Sequence, residues 1–303
     1  MGIELEVVKI KVAIISDIHA NSVALREIIK DAEKNNVEDY IFLGDQVNDL
    51  PFGNETLEIV RNKSNKVLKG NKEEYLIEFE NEKYDWDNIQ FRNTRFLFNE
   101  LSKDNIEYIK KLPHRMSVEY QGVKLLLAHG SPDSVTEFIH ENDDFVINKY
   151  TKNMEEDVLL FGHTHDKMWH RYYNNKLLIN AGCAGVSPHY TGKAEYVILE
   201  IENSRLKNFE FKLIDFDLEE VKRKIIESGI LEYDNTLMNL TYAAISGHGD
   251  IRDAFFREGK EIMLKRHGAW YKEDAKSIFK YFKLYDDDVW TGLAEKYKQY
   301  FVF

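Results

Sequence analysis

The stretch Val12-Ala13-Ile14-Ile15-Ser16-Asp17-Ile18-His19 changes character at Ser16, where four consecutive apolar residues give way to polar ones. A short continuous apolar run is the pattern of a strand buried on both faces. From Ser22 to about Asn35, Val23, Ala24, Leu25, Ile28, Ile29 and Ala32 recur at helical spacing, with Asn21 or Ser22 as N-cap. Strand followed by helix opens an α/β unit. Two further runs repeat the first: Tyr40-Ile41-Phe42-Leu43 ends at Gly44-Asp45, and Val67-Leu68-Lys69 ends at Gly70-Asn71. A helical stretch from about Asn54 to Arg61 separates them.

Residues 72–115 read as helices rich in Phe, Tyr and Glu, broken near Tyr84–Asn88 and closed by Pro113, in the manner of an inserted cap. Strand patterns resume at Met116–Tyr120, Val123–Ala128, Val158–Phe161, Met168–Tyr173, Lys176–Asn180, Ala194–Ile201 and Leu206–Ile214. Asn174-Asn175 marks a hairpin turn between two of them. From Asp217 the pattern is helical to the end, interrupted at Gly229, Gly247-His248-Gly249 and Gly268. Two units are expected: residues 9–214 with an insertion at about 72–115, and a C-terminal helical extension over 215–303. Ile251, Ala254, Phe255, Ile262 and Leu264 form amphipathic runs that need a buried partner surface, in this chain or in another copy.

Five segments end predicted strands: Asp17-Ile18-His19, Gly44-Asp45, Gly70-Asn71, His129-Gly130 and Gly162-His163-Thr164-His165. In open α/β sheets the crevice beyond the carboxyl ends of the strands binds ligands, so residues distant in sequence meet there. Asp-x-His and His-x-His on extended backbone put both side chains on one face, within reach of one metal or two neighbouring ones. Carboxylate, amide and imidazole together suit manganese, iron or zinc better than calcium. One such residue alone is an ordinary cap or polar side chain. Five such segments at strand termini are hard to explain as caps.

Composition bounds the function. The chain has 303 residues and is 43% hydrophobic, enough for one large core, and 53 acidic residues against 41 basic ones give a net charge of −12. That balance provides no field to gather long nucleic acid. One cysteine, Cys183, rules out an intramolecular disulfide framework and a thiolate-rich zinc site. Met1-Gly2-Ile3-Glu4-Leu5-Glu6 lacks the basic flank and apolar run of a secretory signal, and Glu6 breaks the myristoylation pattern. With no apolar run near 18 residues, the expectation is a cytoplasmic protein without a membrane span.

The order Asp-x-His, Gly-Asp, Gly-Asn, His-Gly, Gly-His-x-His resembles the calcineurin-like metallophosphoesterases over roughly residues 9–214. The resemblance implies a two-sheet core flanked by helices, a four-layer αββα sandwich. It implies two divalent metal ions: Asp17, His19 and His165 on one, Asn71, His129 and His163 on the other, with Asp45 bridging them. Ser16–Asn21 and Leu178-Ile179-Asn180-Ala181-Gly182-Cys183-Ala184-Gly185 are similar to a bacterial branch of small phosphodiesterases and nucleotide hydrolases. That branch usually reads Asn-Pro-Gly-Ser in the second segment, so Ala181 and Cys183 depart from it. Many members carry His after Gly-Asn, where this chain has Lys72.

The implied reaction is hydrolysis of a phosphodiester or phosphoanhydride of a small, nucleotide-like substrate by direct attack of metal-bound water, without a phosphoenzyme. An asymmetric diadenosine tetraphosphate hydrolase is one candidate. Lys72 could stabilise charge on phosphate oxygens, and His189, after Ser187-Pro188, could supply the proton that the missing histidine would. His114, His140, His170, His248 and His267 are expected at the surface. The aromatics Tyr75, Phe79, Tyr84, Trp86, Phe91, Phe96 and Phe98 are at helical spacing and read as core rather than as a base-stacking surface. Two other classes stay open: a non-catalytic protein-interaction scaffold, which predicts eroded ligands, and a DNA-processing nuclease, which predicts a basic groove. Homo-oligomerisation is also left open.

Overall fold

The computed structural model describes residues 9–81, 92–268 and 287–303. The targeting reading of Met1–Glu6, the break near Tyr84–Asn88, the aromatics Tyr84, Trp86 and Phe91, and the 269–286 part of the helical tail lie outside the described residues.

The opening apolar run forms β1 (Lys9–Ile15), followed by α1 (Ser22–Lys34), β2 (Asp39–Phe42) and α2 (Gly53–Lys63). Three helices come next, α3 (Asn71–Asn81), α4 (Arg92–Glu100) and α5 (Lys103–Lys111), then β3 (Arg115–Tyr120), β4 (Val123–Ala128), α6 (Asp144–Thr151) and β5 (Val158–Phe161). The chain continues through β6 (Trp169–Tyr173), β7 (Lys176–Asn180), β8 (Lys193–Glu202) and β9 (Arg205–Asp215). The C-terminal helices are α7 (Leu218–Ser228), α8 (Asn235–Ala243), α9 (Ile251–His267) and α10 (Asp287–Tyr297).

The strands form two sheets, ordered β2-β1-β8-β9 and β3-β4-β5-β7-β6. Strand alternation explains why β1 is apolar on both faces from Val12 to Ile15. Val12 and Ile14 point between the sheets, where they meet Leu125, Leu127, Leu160 and Ile179. Ala13 and Ile15 point the other way, into a core shared with Leu25 and Ile28 of α1 and Val221 and Ile225 of α7. The outer face of the second sheet, through Leu159, Phe161 and Leu178, packs on Ile147 of α6. Helix, sheet, sheet, helix is the expected layering.

Local signals explain several boundaries. The Asn21 side chain accepts from the Ala24 N–H at 3.0 Å and starts α1. Asn174 and Asn175 both take positive φ, 49° and 58°, as a two-residue hairpin between β6 and β7 requires. One expectation fails: Val67-Leu68-Lys69 is not a strand but a single parallel bridge from Val67 to Phe42. The Lys69 N–H bonds instead to the Pro113 carbonyl, and the chain turns at once into α3.

Phe96 and Leu97 of α4 are buried in the core and Phe98 is half-buried against it, while the half-buried Phe79 ring lies 4.7 Å from that of Phe98. The partner surface that the tail needed lies within the chain. Phe255 and Met263 of α9 pack with Leu237 and Leu240 of α8 and Trp290 of α10, while Leu264 stays 42% exposed. Among the described residues, no helix is long and apolar enough to cross a membrane.

Candidate metal centre

All seven residues singled out as ligands converge, six of them beyond the carboxyl ends of strands and Asn71 at the start of α3. His19 Nε2 is 2.9 Å from His165 Nε2, and Asp17 Oδ1 is 3.2 Å from His165 Nε2 and 3.6 Å from His19 Nε2. His129 Nε2 is 3.0 Å from Asn71 Oδ1 and 3.4 Å from Asp45 Oδ2. Asp45 Oδ2 is also 3.9 Å from His19 Nε2, which puts it between the two groups. His163 completes a cluster with Asp45 and His129. Asp17, His19, Asp45, Asn71 and His129 are buried.

Bringing them together takes unusual backbone. Asp17, His19, Asp45, His163 and His165 all have φ between 51° and 69°, the left-handed region that side chains other than Gly seldom enter. Such conformations cost of order 1–3 kcal/mol each and persist where the surroundings over-determine them. Gly70 is required for a different reason. A Cβ there would fall 2.2 Å from Asp45 Oδ1, inside the carboxylate.

The hydrogen bonds fix which ring nitrogens face inward. His129 Nδ1 is 3.1 Å from the Leu43 carbonyl. A carbonyl can only accept, so Nδ1 carries a proton and Nε2 is the nitrogen turned to the centre. The Asp17 Oδ2 atom accepts from Ser16 Oγ at 2.6 Å and from the His163 N–H at 2.9 Å, leaving Oδ1 directed inward. Asp17 Oδ1 and His163 Nε2 are buried with no hydrogen-bond partner. Inward lone pairs without donors, in a mixed carboxylate, amide and imidazole set, fit divalent metal ions.

Electrostatics point the same way. Burial alone would raise the Asp17 and Asp45 carboxyls, but neighbouring His129, with His19 and, at Asp17, His165, holds both below the usual range. Burial alone would lower His19 and His129, but Asp49, Asp17 and Asp45 raise the first, and Asp45, Asp17 and Glu73 the second, each to about 9. His163 follows its burial, reinforced by His129, and falls to about 3. The Phe138 ring stacks on it at 4.5 Å.

Lys72 and His189, expected near the reacting phosphate, both lie at the margin of this cluster. The Lys72 N–H donates to Asp45 Oδ1 at 2.8 Å, and its Nζ is 3.4 Å from Asp49 Oδ1. His189 Nε2 donates to the His165 carbonyl at 2.9 Å. Cys183 is buried beneath the loops, where Sγ donates to the Asp17 carbonyl at 3.3 Å. Burial and the Asp17 charge push its thiol well up, so it is a packing residue rather than a nucleophile. His140 pairs with Asp166 at 2.9 Å and is exposed, as expected.

Three residues that the sequence did not flag complete the arrangement. Glu73 is buried, and its carboxylate accepts from the backbone N–H groups of Asp45, Gln46, Val47 and Gly70. Asp49 Oδ2 lies 2.8 Å from His19 Nδ1. Arg252 of α9 donates to Asp49 Oδ1 at 2.6 Å. The acidic residue three positions after Gly70 was the one available signal for Glu73, as an early helix carboxylate.

A family model described as the calcineurin-like phosphoesterase superfamily domain matches residues 10–204. An uncharacterized protein of Methanocaldococcus jannaschii is 23% identical over 242 residues, covering 75% of this chain and 96% of that protein. The fold is similar to a metallophosphoesterase from Sphaerobacter thermophilus, with a TM-score of 0.63 and 21% identity over 78% of this chain and 99% of the other. It is also similar to a hypothetical protein from Pyrococcus horikoshii, with a TM-score of 0.65 and 16% identity over 77% and 98%.

Proposed function

The chain belongs to the calcineurin-like phosphoesterase superfamily, whose members are metal-dependent phosphoester hydrolases, and on that premise we propose that it cleaves a phosphodiester or phosphoanhydride in a small, nucleotide-like substrate. Asp17, His19 and His165 would hold one divalent ion and Asn71, His129 and His163 a second, with Asp45 shared. Manganese, iron or zinc suits this donor set. When bound, such ions supply Lewis acidity and lower the pKa of water at neutral pH.

The chain's own residues supply orientation and charge. The Leu43 carbonyl fixes the His129 tautomer, and the Ser16 hydroxyl and His163 N–H aim the Asp17 carboxylate. Lys72 brings a cation to the margin of the cluster, where it would meet phosphate oxygens. His189 is the proposed proton donor to the leaving group, giving the Nδ1 proton of its imidazolium form while Nε2–H stays on the His165 carbonyl. A cytoplasmic setting suits a chain with one buried cysteine.

The observation that carries the proposal is the buried, partnerless pair Asp17 Oδ1 and His163 Nε2, within a cluster whose other donor atoms stand 2.9–3.9 Å apart. The test is hydrolysis of bis-p-nitrophenyl phosphate and p-nitrophenyl phosphate by chelated protein reloaded with manganese, beside Asp45→Asn. Manganese-dependent turnover that the variant abolishes is expected. Equal turnover by the variant, or turnover indifferent to chelation, would remove the assignment.

A further inference from the structure

Arg252 comes from beyond residue 204, where the family match ends. It reaches the metal centre by a particular path. The chain leaves α8 through a π-helical turn, Ala244–His248, and enters α9 past Gly247 and Gly249, whose φ values are 117° and 63°. π-Turns are rare and often lie at functional sites. Together these residues reverse the chain and set Arg252 against Asp49.

The Arg252 guanidinium is incompletely used. Its Nη2 bond to Asp49 Oδ1, at 2.6 Å, is its one hydrogen bond among the described residues, and Nε is buried without an acceptor. Lys72 Nζ shares the same carboxylate oxygen at 3.4 Å. Two cations thus share one carboxylate oxygen, while buried Asp234 and, at the surface, Asp253 supply further negative charge to Arg252. Asp49, Lys72, Arg252, His165, Pro188 and Thr241 line a pocket of about 90 Å³, several times what a single water needs. Asp250 and Asp253 stand on its wall, but Asp250 is paired with Arg257 at 3.1 Å and Asp253 is exposed, so both are screened by solvent.

The pocket adjoins the metal centre without coinciding with it. His165 belongs to both, since its Nε2 faces His19 Nε2 and its side chain lines the pocket. Arg252 touches Asp49, which contacts the Nδ1 edge of His19, while the Nε2 edge of that ring faces the other ligands. A phosphate bound by Arg252 is therefore separate from one held at the ligand atoms.

We infer that Lys72 and Arg252 form a second phosphate-binding position beside the metal centre, and that the substrate carries at least two linked phosphoryl groups, one at the ligands and the other in this pocket. The inference rests on the hydrolase reading above and narrows it to a phosphoanhydride class. Asp49 holds Arg252 in position and takes no part in substrate binding.

Calorimetric binding of two uncleavable probes to the manganese-loaded full chain tests it: methylenediphosphonate, with two linked phosphoryl groups, and methylphosphonate, with one. The wild type is expected to bind the first at least about tenfold more tightly, the scale of one charge-assisted hydrogen bond. Arg252→Gln removes that preference and leaves methylphosphonate unchanged, while Arg252→Lys, keeping the charge and the Asp49 pair, retains most of it. Thermal melts check that the variants fold, and Arg252→Met, which keeps the apolar stem without the charge, gives the same comparison should Arg252→Gln unfold. No preference in the wild type, or equal changes for both probes, overturns the subsite. Diester hydrolysis by a wild type with no such preference would sink the subsite alone. A retained Arg252-dependent preference in a protein without metal-dependent hydrolysis would sink the hydrolase reading alone.

Discussion

Glu73 Oε2 accepts the Asp45 N–H at 2.9 Å, so the backbone of the carboxylate between the two clusters hangs from a buried acid one helix later in the chain. The same carboxylate also takes the N–H groups of Gln46, Val47 and Gly70. Burial, with Asp45 beside it, pushes its carboxyl up to about 7 against these four donors. Glu73→Ala leaves all four without an acceptor, at about 1–3 kcal/mol for each buried group left unpaired. We expect a loss of at least about 3 kcal/mol in denaturant melts and weaker manganese binding. Glu73→Gln, which retains a single oxygen, should fall between. A Glu73→Ala protein as stable as wild type would show that this carboxylate does not hold the loop.

Gly70 offers a sharper test of the same loop. A methyl group at residue 70 collides with Asp45 Oδ1, so Gly70→Ala must displace either the carboxylate or the backbone beneath it. Overpacking costs about 1–3 kcal/mol in general. Here the larger effect should be on metal: about tenfold or more weaker manganese affinity by calorimetry, with the fold retained by circular dichroism. Unchanged affinity would mean that Asp45 is not a ligand.

Metal loading should depend on pH in a definite direction. Protons on His19 and His129, both raised to about 9, compete with metal for Nε2. Apparent manganese affinity therefore rises between about pH 6.5, the free histidine value, and pH 9, and loading releases protons. The raised histidines stabilise the chelated protein below pH 6.5, and that contribution is lost as pH rises through about 9. The gap in melting temperature between loaded and chelated protein should widen over that window. Calorimetry in buffers of different ionisation enthalpy would reveal the proton release. A constant gap and no release would contradict the ligand assignment of these two histidines.

How much of this was legible beforehand can be seen residue by residue. The seven candidate ligands could be read because each lies just beyond an apolar run, and chain segments that leave a sheet on one side gather at one crevice. Asp49 and Arg252 could not, because their contact joins a loop near the N-terminus to α9, 203 residues later, and no local pattern encodes it. Val67-Leu68-Lys69 misled for the opposite reason: its apolar pair is real and buried, but the Lys69 N–H serves Pro113 and only Val67 forms a sheet bridge. The hairpin at Asn174-Asn175 was readable because asparagine tolerates the φ that the turn demands.

A network away from the metal centre gives an acid-stability prediction. Glu55 of α2 pairs with Arg26 of α1 and Lys224 of α7, and Arg26 also reaches Glu220 at 2.5 Å. Burial raises the Glu55 carboxyl, but Lys224 and Arg26 outweigh it and hold it below the usual glutamate range. A depressed carboxyl stabilises the fold above its unfolded value, about 4.3, and the contribution disappears as pH falls through the folded one. Glu55→Gln should be less stable than wild type at pH 7, and the two melting curves should converge below pH 4. A difference that persists in acid would assign the effect to packing instead of charge.

The placement of β8 bears on how this protein comes into being on the ribosome. Strand β1 carries Asp17 and His19 at its end, and its second neighbour is β8, with Ile14 opposite Val197. While translation proceeds, that edge of β1 waits for a partner more than half the chain away. Pairings of such long sequence separation form slowly. The chain therefore spends much of its synthesis with Asp17 and His19 on an unfinished sheet, and an ion that arrives early would meet a half-built site. Metal choice would then be made by whichever ion is at hand after the last strands close.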